Sequence, residues 1–306
     1  MATEQTNWRD SLQNAALRGA LGFALALPYR WRVPLIGWLV SRVVAPIAGW
    51  RRRIRGNLAH VCPDMDPAEV KRMTRAVPNN AGRTLIEIYS GREFLDRVKD
   101  LEPTGPGVAA LREARAAGRP VILVTGHFGN YDAPRGALAA QGIPMAALYR
   151  PMRNAKFNAH YVNAMSTIAS PVFPADRRGL IGLLKYLSTG NTIGVLIDIY
   201  ATKGAKVSYF GKSAPTATSV AEWALKYDAL LLPIYGIRLE NGLDFEIRID
   251  APIPHTDPVT MTQALNDNLE ALVRNHMDQW FWIHRRWKPG RQAGIQRKRA
   301  AASTGP

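Results

Sequence analysis

Cysteine is almost absent from this chain of 306 residues, since Cys62 is the only one. A single cysteine excludes an internal disulfide and any metal site built from several cysteines of one chain. Cys62 lies in the segment HVCPDMD, with no partner motif beside it, which favours an inert thiol. This cysteine content fits a reducing compartment.

Acidic residues are also scarce, with 24 Asp and Glu against 40 Lys and Arg and a net charge of +16. This excess predicts attraction to an acidic partner, for which nucleic acid, anionic lipid and acidic protein all qualify. The hydrophobic fraction of 47% is enough for a substantial core and excludes a disordered chain.

Long apolar runs are missing as well, because none reaches the roughly 20 uninterrupted residues of a membrane-spanning helix. Two shorter apolar segments, 19–28 and 33–50, flank YRWR, and RRRIR follows at 51–55. This pattern predicts N-terminal membrane-associating helices that lie in the interface, with the arginines on anionic headgroups. The aromatic residues expected at headgroup level are Tyr29, Trp31, Trp38 and Trp50. A helical hairpin buried on the core and one tilted span are the alternatives.

The rest of the sequence predicts an α/β fold with a mostly parallel or mixed central sheet flanked by helices. Helical spacing runs from 57 to about 117, with a break near Pro78. Short β-branched apolar runs then alternate with helical stretches, as in an α/β sandwich. The predicted strands are 121–125, 145–149, 192–198, 230–237 and a half-exposed antiparallel strand at 243–250. The predicted helices among them are 134–141, 178–188, 216–227 and 259–279.

Three regions follow from these patterns: membrane-associating helices at 1–56, an α/β domain at 57–290 and a basic, disordered tail at 291–306. We find no internal repeat and no linker long enough to separate two domains. A cleaved signal peptide is not expected, because the N-terminal apolar run lacks a cleavage site followed by an obviously secreted chain.

The segment VTGHFGNYD, 124–132, carries the first candidate chemistry. His127 follows a buried strand, where α/β folds gather reactive groups, and Gly126 and Gly129 let the backbone approach a ligand. Asp132 begins the next helix, and a chain reversal could bring its carboxylate to the imidazole of a general base. The segment contains no serine or cysteine, so the histidine would activate a hydroxyl of the substrate. The same residues also fit a helix N-cap at Asp132 and a loop hydrogen bond at His127.

Further blocks extend along the chain in a fixed order. They are GHFGNYD (126–132), YRPMRN (149–154), GVLID (194–198), VSYFGKSAPTATSVA (207–221), LLPIYGIR (231–238) and QWFWIHRRWK (279–288). Together these blocks resemble the bacterial lysophospholipid acyltransferase family, and they are most similar to its lipid A biosynthesis branch of lauroyl and myristoyl acyltransferases. The resemblance covers about residues 15–290 and implies a glycerolipid acyltransferase-like fold, with 57–290 as the acyltransferase domain.

This resemblance implies a mechanism of the His-x4-Asp type. His127 is the implied general base and Asp132 its orienting partner. The acceptor hydroxyl attacks the thioester of acyl carrier protein or coenzyme A directly, without an acyl-enzyme. Backbone N–H groups near Gly129 or Arg150 are the candidate oxyanion donors. No cofactor and no metal is expected.

The resemblance also implies a set of substrate-binding residues. Arg150 matches a position thought to hold an anionic group, although a surface charge at a strand end fits it too. Asp198 matches an acidic position of the third block, and it could equally be the structural partner of an arginine. The other expected substrate-binding residues in these blocks are Gly129, Asn130, Asn154 and Gly211.

Two departures from the lipid A branch concern the acceptor. Asp132 stands where that branch usually has Glu, and Ile199-Tyr200 stands where it tends to carry Gln and a second acid. A lipid A precursor is therefore the leading acceptor, and the hydroxyl of another amino-, glyco- or lysophospholipid remains an alternative acceptor.

The basic charge favours acyl carrier protein over coenzyme A as donor. We expect the protein at the cytoplasmic face of the bacterial inner membrane, peripheral or with a single N-terminal anchor, on an anionic membrane surface.

Two functions outside this class remain alternatives. The charge and a group of tryptophans interleaved with arginines at 280–287 fit nucleic-acid binding or a membrane face. However, the basic clusters flank apolar segments and no nucleic-acid motif occurs, so no nucleic acid is expected as partner. A non-catalytic lipid-binding protein is the second alternative. The remaining histidines lack metal-ligand spacing, and His284 is expected to pack structurally.

Overall fold

The computed structural model describes residues 8–152, 154–288 and 290. The tail at 291–306, predicted to be disordered, lies outside these residues. Helices form the N-terminal part: α1 (Trp8–Ala26), α2 (Tyr29–Leu39), α3 (Ala45–Ile47), α4 (Trp50–Val61), α5 (Pro67–Tyr89), α6 (Arg92–Val98) and α7 (Val108–Ala116). A π-helical segment, Val40–Val44, joins α2 to α3.

Strands and helices then alternate, as the sequence predicts. Their order is β1 (Val121–Thr125), α8 (Ala133–Ala140), β2 (Met145–Tyr149), α9 (Ala155–Ile168), β3 (Val172–Pro174), α10 (Arg177–Ser188), β4 (Thr192–Leu196), β5 (Ala205–Tyr209), β6 (Lys212–Thr216), α11 (Ser219–Tyr227), β7 (Leu230–Arg238), β8 (Phe245–Ile249) and α12 (Pro258–Asn275). A 3₁₀ turn, Met277–Gln279, follows α12.

A six-stranded sheet in the order β3-β2-β4-β1-β7-β8 organises the described residues. Strand β1 is paired in parallel with β4 and with β7, whereas β8 runs antiparallel to β7. The alternation at 243–250 predicted that last strand correctly. The expected α/β fold with a mixed sheet and flanking helices is therefore confirmed. Strands β5 and β6 form a separate antiparallel hairpin.

Strand β1 lies in the middle of the sheet and is buried on both faces. Val121 and Leu123 pack with the helices of one layer, and Ile122 and Val124 with those of the other. Each fully buried side chain of this kind contributes about 1.5–3 kcal/mol. The loop after β1 therefore starts from a rigid position.

Helix α5 continues through Pro78, so the break predicted there is wrong. A proline inside a helix removes one hydrogen bond and costs about 3 kcal/mol. Pro78 is nevertheless buried, as are Met73, Val77 and Ile86 on the same helix. Packing of this face against its neighbours outweighs the local preference to end the helix.

The N-terminal helices are buried on one side only. Val33 and Ala45 have no solvent exposure, whereas Trp31 and Ile47 are 60% and 83% exposed. Tyr29, expected at headgroup level, is buried, and the Arg97 guanidinium lies 4.7 Å from its ring centroid. In the described part of the chain, no single helix is long and apolar enough to cross a membrane. One pair bent by 85°, Tyr29–Ile47 with Trp50–Val61, meets that test by length and composition.

Candidate functional site

The sheet register brings His127 and Asp198 together. Strands β1 and β4 pair Thr125 with Leu196, and His127 and Asp198 each lie two residues beyond that pair. Nδ1 of His127 is 2.8 Å from Oδ1 of Asp198, and the backbone N–H of His127 donates to Oδ2 at 2.8 Å. With Nδ1 on the carboxylate, Nε2 is the ring nitrogen left for a substrate proton.

Asp198 is fully buried and remains ionised. Burial disfavours its charge, but the charge of His127 and the hydrogen bonds from it outweigh that penalty and hold the pKa of Asp198 well below its usual range. The indole N–H of Trp280 also donates to Oδ2 at 2.9 Å. The carboxylate is thus fixed in orientation by two residues, which fixes the imidazole in turn.

Asp132, predicted to orient His127, points elsewhere. Its carboxylate forms a buried ion pair with Arg135, one helical turn further along α8, and Arg135 also donates to the carbonyl of Ala169 at 2.8 Å. The sequence spacing predicted that His127 and Asp132 share one site. Arg135, three residues further along the chain, instead pairs with the Asp132 carboxylate and holds it towards the end of α9. The carboxylate that hydrogen-bonds His127 is that of Asp198.

Asn130 provides the N-terminal cap of α8. Its Oδ1 accepts the backbone N–H groups of Asp132 and Ala133 at 2.9 and 3.2 Å, and its Nδ2 donates to Glu87 at 2.8 Å. Asp132 occupies the N-cap position of α8, as the alternative interpretation expected, but its side chain makes no cap hydrogen bond. Asn130 is buried, and this network holds the loop that carries His127.

Gly129 lies at a very close approach of two chain segments. Its φ is +51°, and a Cβ there would come within 2.0 Å of the carbonyl oxygen of Gly236. Its N–H, an expected oxyanion donor, already donates to the carbonyl of Gln279 at 2.9 Å. Gly129 therefore positions the loop and lines the cavity described below, but its N–H is not free for an oxyanion.

An apolar cavity of about 350 Å³ opens onto His127. The π-helical segment and the face of α5 form most of its wall. Its lining includes Val40, Val44, Trp50, Val77, Ala81, Leu85, Ile88, Tyr131 and Phe281. The combination of a buried carboxylate, a partly exposed imidazole and an apolar cavity suits proton transfer next to a hydrocarbon substrate.

The remaining predicted substrate-binding residues lie away from this cavity in the described structure. Arg150 is exposed just after β2, at the same end of the sheet as His127. Asn154 caps α9, accepting the backbone N–H of Phe157 at 3.1 Å. Gly211 forms, with Phe210, the positive-φ turn of the β5–β6 hairpin. None of these three residues is in the cavity lining.

His284 is the site residue that the sequence interpretation missed. Its ring centroid lies 4.4 Å from that of His127, at 75° between planes. Burial and the charge of His127 lower the pKa of His284 to about 4, although Asp198 opposes the shift. The residue is therefore neutral near pH 7. Only its position in the last sequence block, WIHRRW, could have indicated this proximity.

The last of the sequence blocks, QWFWIHRRWK at 279–288, is the C-terminal block, and it reaches the site through backbone pairing. Phe281 donates its N–H to the carbonyl of His127 at 2.9 Å, and Asn57 donates to the carbonyls of Trp282 and His284, both at 2.7 Å. The three tryptophans of this block, Trp280, Trp282 and Trp287, are fully buried. They cannot stack on nucleic-acid bases or face a membrane, as the sequence allowed.

His127, Asp198 and His284 also form a possible set of metal ligands, since their ligand atoms lie within 4.8 Å of one another. Sequence spacing gave no sign of this set, because its members come from three distant segments. However, both oxygens of Asp198 already accept hydrogen bonds from His127, and one also from Trp280. The hydrogen bonds that Asp198 accepts thus fit an imidazole–carboxylate pair better than a metal ligand set.

Comparison with known proteins identifies the family of this chain. The family model for bacterial lipid A biosynthesis acyltransferases matches residues 6–289. The lipid A biosynthesis acyltransferase of Haemophilus influenzae is 26% identical over 84% of this chain and 81% of its own length. The lipid A biosynthesis lauroyltransferase of Escherichia coli is 24% identical, and the palmitoleoyltransferase of the same organism 25%, each over 88% of this chain and 89% of its own length. The chain therefore belongs to the bacterial lipid A biosynthesis acyltransferase family.

Proposed function

We propose that this protein transfers a fatty acyl chain from a thioester to a hydroxyl of a lipid A precursor, with His127 as general base and Asp198 as its orienting carboxylate. The observation that carries this proposal is the His127–Asp198 hydrogen bond at the mouth of an apolar cavity. The relatives named above act in lipid A biosynthesis, which supports that acceptor.

In the proposed reaction, Nε2 of His127 removes the proton of the acceptor hydroxyl as its oxygen attacks the thioester carbonyl. A new C–O bond forms, the C–S bond breaks, and the imidazolium returns the proton to the leaving thiolate. The ionised Asp198 stabilises the imidazolium through Nδ1, a role worth several powers of ten in comparable dyads. Asp132 acts indirectly, because its ion pair with Arg135 holds the start of α8.

The acyl chain occupies the cavity between α5 and the π-helical segment. Apolar side chains such as Val40, Val77 and Ile88 line it, and burying methylene groups there contributes about 0.8 kcal/mol each. His127 also lines the cavity, so an acyl chain bound there can place its thioester carbonyl next to the base.

The donor we propose is acyl carrier protein rather than coenzyme A. Carrier proteins of this kind are acidic, and the net charge of +16 favours their encounter with this protein.

The exposed apolar side chains of α2 and α3, including Trp31 and Ile47, support association with a membrane surface. We place it at the cytoplasmic face of the inner membrane, where an insoluble acceptor and a soluble donor can meet.

The test is mass spectrometry of lipid A and total lipids from source cells lacking the gene and complemented with wild type or His127→Ala at equal protein level. We expect the variant to lose one secondary acyl chain of lipid A. His255→Ala is the matched control, because His255 is exposed and is not part of the cavity lining. Unchanged lipid A with another lipid accumulating in lyso form would reassign the acceptor. No change in any lipid, with redundancy excluded, would contradict acyl transfer.

A further inference from the structure

A second, larger cavity lies on the other side of α5 from the His127 cavity. It is an open groove of about 1050 Å³, floored by α5 and bounded by the π-helical segment, the end of β7 and the end of α12. Asn80 and Gln279 line both cavities, so the groove and the acyl cavity are neighbours separated by these two side chains.

Cations dominate the groove. Lys71 and Arg75 lie four residues apart along α5, Arg83 lies eight residues beyond Arg75, and Arg42 belongs to the π-helical segment. Arg72 and Arg238 also line it, against three carboxylates: Glu240, Glu246 and Asp278. Arg72 already pairs with Asp278 at 3.3 Å, and Arg238 pairs with Glu87.

Four of these cations lack a carboxylate partner among the described residues, although Arg83 already donates to Oδ1 of Asn79 and to the carbonyl of Gly242. In the described part of the chain, no carboxylate oxygen lies within 4.0 Å of Arg42, Lys71, Arg75 or Arg83. Burial and the nearby charge of Arg238 lower the pKa of Arg83. An anion bound beside these side chains would offset that burial and repulsion.

The groove also borders the exposed apolar face of the N-terminal helices. Trp38, half exposed, is part of its lining. The exposed Trp31 lies on the same helix, α2, and the exposed Ile47 lies on α3. An indole at the edge of a cationic groove is the arrangement expected where a membrane interface meets a lipid headgroup.

From these relationships we infer that the groove binds the phosphate-bearing headgroup of the lipid acceptor and delivers its hydroxyl to His127. This rests on the proposed function and adds the subsite that selects a phosphorylated acceptor. Arginine and lysine side chains bind phosphate through charge-assisted hydrogen bonds. The concave shape and the volume suit a sugar-sized headgroup better than the acidic helix of a carrier protein, which needs a flat or protruding surface.

The experiment measures binding in full-length His127→Ala protein, where no turnover occurs. The probes are an under-acylated, phosphorylated lipid A precursor in detergent micelles and the same lipid after phosphatase treatment. We expect the phosphorylated form to bind tighter by on the order of tenfold or more. The triple variant Arg42→Gln, Lys71→Gln, Arg75→Gln should lose this preference.

The matched control removes three charges elsewhere: Lys185→Gln, Lys203→Gln and Lys226→Gln, all at exposed positions outside the groove. It should keep the preference. A preference that survives in the groove variant would overturn the inference. So would an equal loss of binding for both lipid forms, because that result indicates general attraction to lipid.

This measurement is separate from acyl transfer. If lipid A in cells does not depend on His127 but the phosphate preference is present and sensitive to the groove variant, the proposed reaction fails and the binding site stands. If transfer depends on His127 but the preference is absent, the reaction stands and the groove inference is wrong.

Discussion

His127 and Asp198 lie in register at the ends of two neighbouring parallel strands, each two residues beyond the paired Thr125 and Leu196. This relationship assigns different roles to Asp198 and Asp132, which the sequence alone could not distinguish. Asp198 touches the imidazole, whereas Asp132 is buried in an ion pair with Arg135. Neutralising Asp198 should therefore affect catalysis, whereas neutralising Asp132 should affect stability.

We expect Asp198→Asn to lower kcat by about 10³–10⁴-fold in a protein that still folds, because an amide cannot hold the imidazole in the required tautomer or stabilise the imidazolium. Asp132→Asn should instead lower the free energy of unfolding by about 3–5 kcal/mol, because it leaves the buried Arg135 uncompensated. Kinetics of acyl transfer and thermal melting of both variants test this. Equal losses of kcat at unchanged melting temperature would contradict the division of roles.

His284 should make stability depend on pH in a defined window. Its pKa in the folded protein is about 4, below the ordinary value of about 6.5. Between these values the unfolded chain binds the proton and the folded protein does not, so stability rises with pH and is lost as pH falls from 6.5 towards 4. The change is on the order of 3 kcal/mol.

Urea unfolding of wild type and His284→Phe at several pH values between 4 and 7.5 measures this effect. The variant should show a flatter dependence across the window, since phenylalanine cannot bind a proton. The buried Asp198 contributes at lower pH, because its pKa is depressed below the ordinary value for aspartate. The same slope in both proteins would assign the pH dependence to other groups.

The sequence predicts the sheet better than the site. Apolar runs identify β1, β2, β4 and β7, because strands buried on both faces carry an uninterrupted apolar signal. The three-residue strand β3 and the β5–β6 hairpin have no such signal. Strand β3 forms by pairing with β2, whereas β5 and β6 pair with each other outside the main sheet. Helix α9 was not identified either, although it spans Ala155–Ile168.

The site depends on contacts that spacing cannot show. His127 was a candidate from its place after a strand, and the resemblance of the ordered sequence blocks then implied its role as general base. The choice between Asp132 and Asp198 depends on sheet order, and the approach of His284 depends on backbone pairing of the C-terminal block with the loop at 127–129. Sequence proximity favoured Asp132, and the sheet register favours Asp198.

Ala81→Phe should change the preference for acyl chain length. Ala81 lines the apolar cavity, so a phenyl ring there would exclude part of a long chain. Loss of even two buried methylene groups, at about 0.8 kcal/mol each, corresponds to roughly tenfold. We expect kcat/KM to fall by that factor for long acyl donors relative to short ones. Ala116→Phe, at an exposed position of α7, is the control, and an identical profile for both variants would exclude this cavity as the acyl site.

The exposed apolar face of α2 and α3 should mediate binding of the protein to membranes. Deleting residues 1–50 is a poor test, because Val33 and Ala45 are core residues and Val40 lines the cavity. Trp31→Glu with Ile47→Glu changes only exposed positions. Losing two apolar contacts worth about 1.5–3 kcal/mol each should weaken partitioning by about 10²–10⁴-fold.

Co-sedimentation with vesicles that contain anionic lipid measures this partitioning. The matched control is Ile181→Glu with Val259→Glu, which places the same two charges at exposed apolar positions of α10 and α12. If both double variants sediment as wild type does, the apolar face is not the membrane contact. If both lose binding equally, added negative charge alone explains the loss, because anionic lipid repels it wherever it lies. Loss confined to Trp31 and Ile47 assigns the contact to the N-terminal helices.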